Sequence, residues 1–399
     1  MKMPREWKSL SVFELFDVQL GKMLNEKAKT GNFPQPYLTN FNVRWGRFVL
    51  DSFNTMHFSD QEKEKFALKS GDLVVCEGGE VGRCAIWREE VKPCYFQKAL
   101  HRLRPRSGDI EPEFMLAYMS YIAGTKRLSD LTTQSSIAHL TRERFLELEV
   151  PTPPLPEQRK IADILTTWDK ALEKLDALID AKERNKKALM QQLLTGKKRL
   201  KGDSWPLLSA KLGDLFAERV EQNRSDLPLL SITADRGIVR REGLVKRDTS
   251  SEDKSKYLRI VPGDIGYNTM RMWQGVSALS SLEGIVSPAY TILMPGKLID
   301  ASFAAHFFKY PHTIHLFHRY SQGLVDDTLN LKFPAFATIE VTIPDDIKVQ
   351  RRIADILDTC DEELRILRGK REALDHQKRG LMQRLLTGKV RLSTGGEYA

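Results

Sequence analysis

Residues 158 to 172 read QRKIADILTTWDKAL, and residues 350 to 364 read QRRIADILDTCDEEL, an offset of 192. The same offset relates ALMQQLLTGKKRL at 188 to 200 to GLMQRLLTGKVRL at 380 to 392. A register that never slips along such a stretch describes one rigid element used twice. Whatever this chain folds into must therefore accommodate two copies of that element, with one unrelated segment before each copy.

The apolar spacing says what the element is. Ile161, Leu165, Trp168, Leu172, Leu175 and Ile179 step by four and three residues in alternation, as do Ile353, Leu357, Cys360, Leu364 and Leu367, which is the heptad seam of a coiled coil. Lys182, Lys186, Arg371 and Lys378 interrupt the seam before Leu189, Leu193, Leu381 and Leu385 resume it. Pro156 suits a first helical turn, and Gly196 and Gly388 suit a helix stop. A helix from Glu157 to Leu194 would be about 57 Å long at 1.5 Å per residue. A seam present twice predicts that the two copies pack on each other. The second globular segment starts where the first helix ends and ends where the second begins. A parallel pair would force that segment to bridge the whole helix length, so the pair is expected to be antiparallel and the chain pseudo-two-fold symmetric.

This organisation divides the 399 residues into a first globular domain at 1–150, a central helix at 151–200, a second globular domain at 201–343, a C-terminal helix at 344–392 and a tail at 393–399. The globular segments carry a weaker echo. LKSGDLVVCEGGEVGRCAIW at 68 to 87 resembles IVPGDIGYNTMRMWQGVSAL at 260 to 279, with Asp72 and Asp264 again 192 apart. Both read as a GD turn, a strand, a loop and another strand. Alternating stretches such as FVLDSF and YTILM, among helical stretches such as PEFMLAYMSYIAG and ASFAAHFFKY, make the fold class α+β.

Composition narrows the class of protein. Hydrophobic residues at 41% and charged residues at 29% are those of a globular chain. No apolar run approaches the roughly 18 residues that a membrane span needs, and the N-terminus lacks a signal-like stretch, so a cytoplasmic location is expected. Four cysteines, with Cys76, Cys84 and Cys94 too widely spaced for a zinc site, read as reduced core thiols. The net charge of +9 suggests a polyanionic partner, but it is spread thinly. Lys and Arg exceed Asp and Glu by only two in 1–150, four in 151–200, one in 201–343 and two in 344–399. Any nucleic-acid face must be a local patch.

The order of variable segment, repeated helix, variable segment and repeated helix, with the motifs PPLPEQRKIADIL, LLTGKKRL and LLTGKVRL, resembles the specificity subunit of type I restriction-modification systems across essentially the whole chain. The second copy departs at its start, where IPDDIKVQ stands for PPLPEQ. The resemblance implies two target-recognition domains, each reading one half of a split, asymmetric target in double-stranded DNA, with the helices setting the spacing. It also implies two docked methyltransferase subunits and, in a larger complex, motor-nuclease subunits, with S-adenosylmethionine, ATP and magnesium held by those partners and no cofactor on this chain. Independently of the resemblance, two unlike domains on a rigid spacer would read two unlike half-sites a fixed distance apart.

Thr152-Pro153-Pro154-Leu155 lacks the amide or carboxylate and the aromatic of an adenine-methyltransferase loop, and no GxxxxGK run is present. The glycine-rich loop Gly78 to Arg83 reads as a hairpin whose amides could lie along phosphates. His306, His312, His315 and His318 fit a helix and turn better than a ligand set. The expectation is a non-catalytic chain with no metal. Cations beside glycine, aromatic or turn residues are the candidates for DNA contact: Arg44, Arg47, Arg83, Lys98 and Arg102 in the first domain, and Arg240, Arg241, Lys246, Arg247, Arg271 and Arg319 in the second. The run Lys182, Arg184, Lys186, Lys187, Lys197, Lys198 and Arg199 reads as a solvated helix face. Two rival readings remain from sequence, a coiled-coil scaffold without DNA recognition and an enzyme with an unfamiliar site.

Overall fold

The computed structural model describes residues 4–132, 138–200, 205–233, 236–243, 253–325 and 328–393. Two helices of equal length dominate it, Leu155–Leu194 and Ile347–Leu386, each 40 residues. Both end at a glycine in the left-handed region, Gly196 with φ 67° and Gly388 with φ 70°, a conformation that glycine adopts without steric penalty. The chain forms two compact units, 1–176 with 370–399, and 177–369. Each unit holds one globular segment and half of each long helix.

In the first unit, Lys378 pairs with Asp169, and Arg371 Nε pairs with Asp176 Oδ1 at 3.0 Å. In the second, Lys186 pairs with Asp361, and Lys182 Nζ with Glu363 Oε1 at 2.6 Å. Residue numbers rise along one helix as they fall along the other, so the helices are antiparallel within each unit. The pairs Lys186 with Asp361 and Lys378 with Asp169 are one interaction repeated at the 192-residue offset. The cations that break the apolar seam are therefore held by carboxylates across the helix pair, which corrects the reading of Lys182 and Lys186 as part of a solvated face.

Ile161, Leu165, Leu172 and Leu175 are buried in the first unit and Ile353, Leu357 and Leu364 in the second, while Trp168, Cys360 and Leu367 are half-buried. The seam changes character at its outer ends. Ile161, Leu165, Met382, Leu385 and Leu386 lie in the same core cluster as Trp7, Phe16, Phe114 and Phe145, and Ile353, Leu357, Leu193 and Leu194 join Phe216, Phe303 and Phe336. The helix ends are thus part of the domain cores.

Each globular segment is built on the same four-stranded antiparallel sheet. Its order is Phe16–Leu20, Leu100–Pro105, Leu73–Cys76, Cys84–Ile86 in the first, and Phe216–Glu218, Tyr290–Pro295, Ile265–Asn268, Ser277–Leu279 in the second. In both, the first and last strands of the segment pair with each other, Lys8–Ser11 with Glu149–Thr152 and Leu207–Lys211 with Glu340–Pro344. The expected helices form as Pro112–Ile122 and Ala301–Phe307, and YTILM forms a strand.

Outside this frame the two differ. The first adds a three-stranded sheet of Asn54–Met56, Gln35–Leu38 and Tyr95–Phe96 over its own core, the second two small strand pairs. FVLDSF is not a continuous strand. Only Phe48 is extended, because Asn42 Nδ2 donates to the carbonyls of both Val49 and Ser52 at 3.0 Å and folds the segment back.

Candidate nucleic-acid interface and helix junctions

The GD turn organises the hairpin in each domain. Asp72, 1% exposed, accepts from Arg104 Nε and Nη2 at 2.7 Å and from the Lys69 amide at 2.7 Å. Asp264, 3% exposed, accepts from Arg219 Nε at 2.7 Å, Arg219 Nη2 at 3.1 Å and the Val261 amide at 3.0 Å. The carboxylate hydrogen bond raises the pKa of each arginine above its ordinary value. Arg104 comes from the strand Leu100–Pro105 of the first domain's sheet, and Arg219 directly follows the strand Phe216–Glu218 of the second's. A charge-assisted, bidentate lock therefore fixes where each hairpin projects.

At the tips the domains diverge. The first tip spans Cys76 to Arg83, between paired Val75 and Cys84, and the second spans Asn268 to Val276, between paired Tyr267 and Ser277, one residue longer. In the first, Glu80 accepts from Trp45 Nε1 at 2.6 Å and from Arg83 Nη1 at 3.1 Å. In the second, Asn268 Oδ1 accepts from the Met270 amide at 2.9 Å, Trp273 Nε1 donates to the Met270 carbonyl at 3.1 Å, and Met272 is buried. Gly82 and Gly275 both have positive φ, 80° and 77°, and a Cβ on either would lie 2.8 Å from the side chain of Leu128 or Ile314. Each tip therefore packs tightly on a neighbouring helix.

This geometry sorts the candidate cations. Arg83 donates to the Asn40 carbonyl at 2.7 Å as well as to Glu80, and Arg102, with its side chain 6% exposed, pairs with Asp17 at 2.6 Å and donates to the Lys65 carbonyl at 3.2 Å. Both guanidinium groups are thus held by partners within the domain. Arg44 is half-buried with Nη1 on the Val43 carbonyl, while Arg47 and Lys98 are exposed. In the second domain Arg240, Arg271 and Arg319 are exposed and Arg241 is half-buried. Lys246 and Arg247 lie outside the described residues.

The repeated QR motif proves to be an anchor. Gln158, fully buried, donates to the Asp109 and Pro153 carbonyls at 2.8 Å and accepts from the Glu111 amide at 2.9 Å. Gln350, equally buried, donates to the Leu298 carbonyl at 3.0 Å and the Pro344 carbonyl at 2.8 Å, and accepts from the Asp300 amide at 2.8 Å. The next residue pairs with an acid beside the same domain helix, Arg159 with Glu111 and Arg351 with Asp300.

Sequence reasoning missed the residue preceding this motif. Glu157, 1% exposed, accepts from Trp7 Nε1 at 3.1 Å, Arg391 Nε at 2.9 Å, Arg391 Nη2 at 2.9 Å and the Leu392 amide at 3.1 Å. Burial alone would raise its pKa, but the bonds from Arg391, Leu392 and Trp7 outweigh that and hold it below the ordinary value. The second copy has Val349 here, and buried Trp205 Nε1 has no hydrogen-bond partner among the described residues. Arg199 instead lies over the Trp205 ring at 5.3 Å, as Arg391 lies over Trp7 at 5.9 Å. The signal was visible as EWKSLS and SWPLLS ahead of each domain.

A groove opens beside each junction, about 500 Å³ in the first unit and about 270 Å³ in the second. Tyr118, Leu386 and Thr387 line the first, and their repeat equivalents Tyr310, Leu194 and Thr195 line the second. Cys76, Cys84 and Cys94 are free thiols in the core, and burial pushes the Cys94 pKa up to about 12. Among the described residues no cluster of three or more His, Cys, Asp or Glu could hold a metal, and no helix is long and apolar enough to cross a membrane.

One frame used twice with unlike tips, held on a duplicated helix pair, defines a tandem α+β recognition protein. The family described as the type I restriction modification DNA specificity domain matches residues 4–182. The type I restriction enzyme MjaVIII specificity subunit of Methanocaldococcus jannaschii is 22% identical, over 98% of this chain and 95% of the relative. The crystal structure of a type I restriction-modification S subunit from M. genitalium superposes with a TM-score of 0.60 at 18% identity, covering 96% of this chain and 98% of that one. A chain from a structure of the type I restriction-modification system, concerned with its complex assembly and conformational transition, also gives 0.60 at 16% identity, covering 98% and 100%. Residues 4–182 thus match the specificity domain of type I restriction-modification systems, and over nearly its whole length the chain is similar to type I specificity subunits.

Proposed function

We propose that this chain is the DNA-reading subunit of a type I restriction-modification complex, each globular domain reading one half of a bipartite, asymmetric target while the helix pair sets the spacing. The observation that carries this is the shared sheet and GD lock under two chemically different hairpin tips. A common frame provides common placement on DNA, and unlike tips provide unlike half-sites. The chain does no chemistry of its own. S-adenosylmethionine, ATP and magnesium belong to the methyltransferase and motor-nuclease partners, and the complex works in the cytoplasm. The repeat-related grooves at the two helix junctions are the docking places for one methyltransferase subunit each, because repeat-related surfaces bind the same partner element twice.

The test is binding of the purified chain, alone and with its methyltransferase, to a library of random duplex DNA at several salt concentrations. Recovery of a gapped two-part motif, with affinity falling steeply as salt rises, is the expected result. Salt-insensitive retention without a motif would establish a protein scaffold instead. Methyl transfer by the chain alone would overturn the non-catalytic assignment.

A further inference from the structure

The second hairpin tip is built to hold one side chain outward. Asn268 turns the chain through the Met270 amide, the Arg271 amide donates to the Asn268 carbonyl at 3.0 Å, and the Arg271 carbonyl accepts from the Gln274 amide at 3.0 Å and the Val276 amide at 3.3 Å. Buried Met272 is the keel of the turn, and Gly275 lets it close on Ile314. Trp273 meets His318 edge-on at 5.8 Å, which ties the tip to the helix Pro311–Tyr320. Arg271 is thus fixed at its backbone and exposed at its side chain.

Several arginines of this unit are committed to carboxylates: Arg219 to Asp264, Arg224 to Asp226, Arg259 to Glu221 and Glu283, and Arg351 to Asp300. Arg271 has no carboxylate partner among the described residues, nor does Arg319 on the helix that packs against the tip. The first domain does the opposite at the same place, where Glu80 holds both Arg83 and Trp45. An unpaired, pre-positioned guanidinium fork matches the O6 and N7 acceptors of guanine in the major groove, and that match is bidentate.

We propose that Arg271 is the specificity-determining residue of the second domain and reads a guanine in its half-site through the major groove. This rests on the reading of the chain as a DNA-recognition subunit. Arg319, one element away, supplies phosphate contact beside it.

The experiment compares the full chain with Arg271→Ala and Arg271→Lys, each co-expressed with its methyltransferase, by long-read mapping of methylated adenine in the genome. Wild type must show a two-part motif; its absence would overturn the DNA-reading function itself. Given that motif, the inference predicts that in Arg271→Ala a guanine preference of about ten- to a hundredfold at one position falls to near unity. The other half-site keeps its sequence. Arg271→Lys retains charge but not the planar fork, so it should relax the same position. It also decides the matter if the alanine variant does not fold. An unchanged motif overturns the inference, as does loss of methylation at every site alike, which marks a phosphate contact. Full discrimination by lysine overturns the bidentate reading.

Discussion

At the scale of single residues, burial and pairing separate cations that stabilise the protein from those available to DNA. Arg102 and Arg47 illustrate the difference. Arg102→Ala leaves Asp17 without its guanidinium partner and should lower stability by about 1–3 kcal/mol, read by urea unfolding, with the salt slope of DNA binding unchanged. Arg47→Ala should leave stability within about 0.5 kcal/mol of wild type and, if it contacts a phosphate, reduce that slope by about one. Glu157 provides a pH-dependent case. Glu157→Val copies the second junction and strands Trp7 Nε1 and Arg391, at a cost of about 1–3 kcal/mol near neutral pH. Because the folded pKa of Glu157 lies below its ordinary 4.5, its contribution is present above that value and lost as pH falls through the folded pKa. The stability gap between wild type and variant should therefore close in acid, as measured by thermal unfolding between pH 7 and 3.

At the scale of elements, the long helices pair along their middles within each unit and are domain core at their outer ends. Judged by the seam alone, an insertion just after Leu194 is harmless. The structure reverses this, since Leu193 and Leu194 are buried in the second core and a Cβ on Gly196 would lie 3.1 Å from Trp205. A spacer change must instead be made centrally and in both helices. Seven residues inserted after Asp176 and seven before Lys370 preserve the heptad and lengthen each helix by about 10 Å at 1.5 Å per residue. At about 3.4 Å per base pair, the gap in the methylated motif should grow by about three base pairs with both half-sites unchanged. Seven residues in one helix alone should leave its charged pairs out of register and lower the unfolding temperature. A gap that stays constant in the active double insertion would show that the partner subunits, not the helices, set the spacing.

At the scale of the molecule, the first unit is assembled from both ends of the chain. Trp7 near the start and Arg391 near the end meet on Glu157, and Gly388 sits against Pro4. The segment 1–150 is consequently not a clean exchange module, because its first strand also serves this junction. An exchange confined to residues 17–147, retaining Lys8–Ser11 and Glu149–Thr152, should change one half of the methylated motif and leave the other intact. Methylome sequencing of the chimera is the check. Changes in both halves would mean that the domains do not read independently.

The duplication, the antiparallel helix pair, the α+β class and the GD turn were legible in the sequence because they depend on periodicity and on a constant offset, which survive wherever the chain goes. YTILM and PEFMLAYMSYI formed the strand and helix that their patterns predicted. Two readings changed for one cause. FVLDSF bends because Asn42 reaches across the loop, and Lys186 faces its partner helix because Asp361 is there. In both, folding brings a side chain to a partner outside its own element, and no local propensity encodes that partner. The sequence by itself determined that one frame would be built twice on a paired helix. Which cations are bound within the frame and which remain outward at its tips was decided only by tertiary structure, because a buried charge must be paired and the pairs are made across the fold.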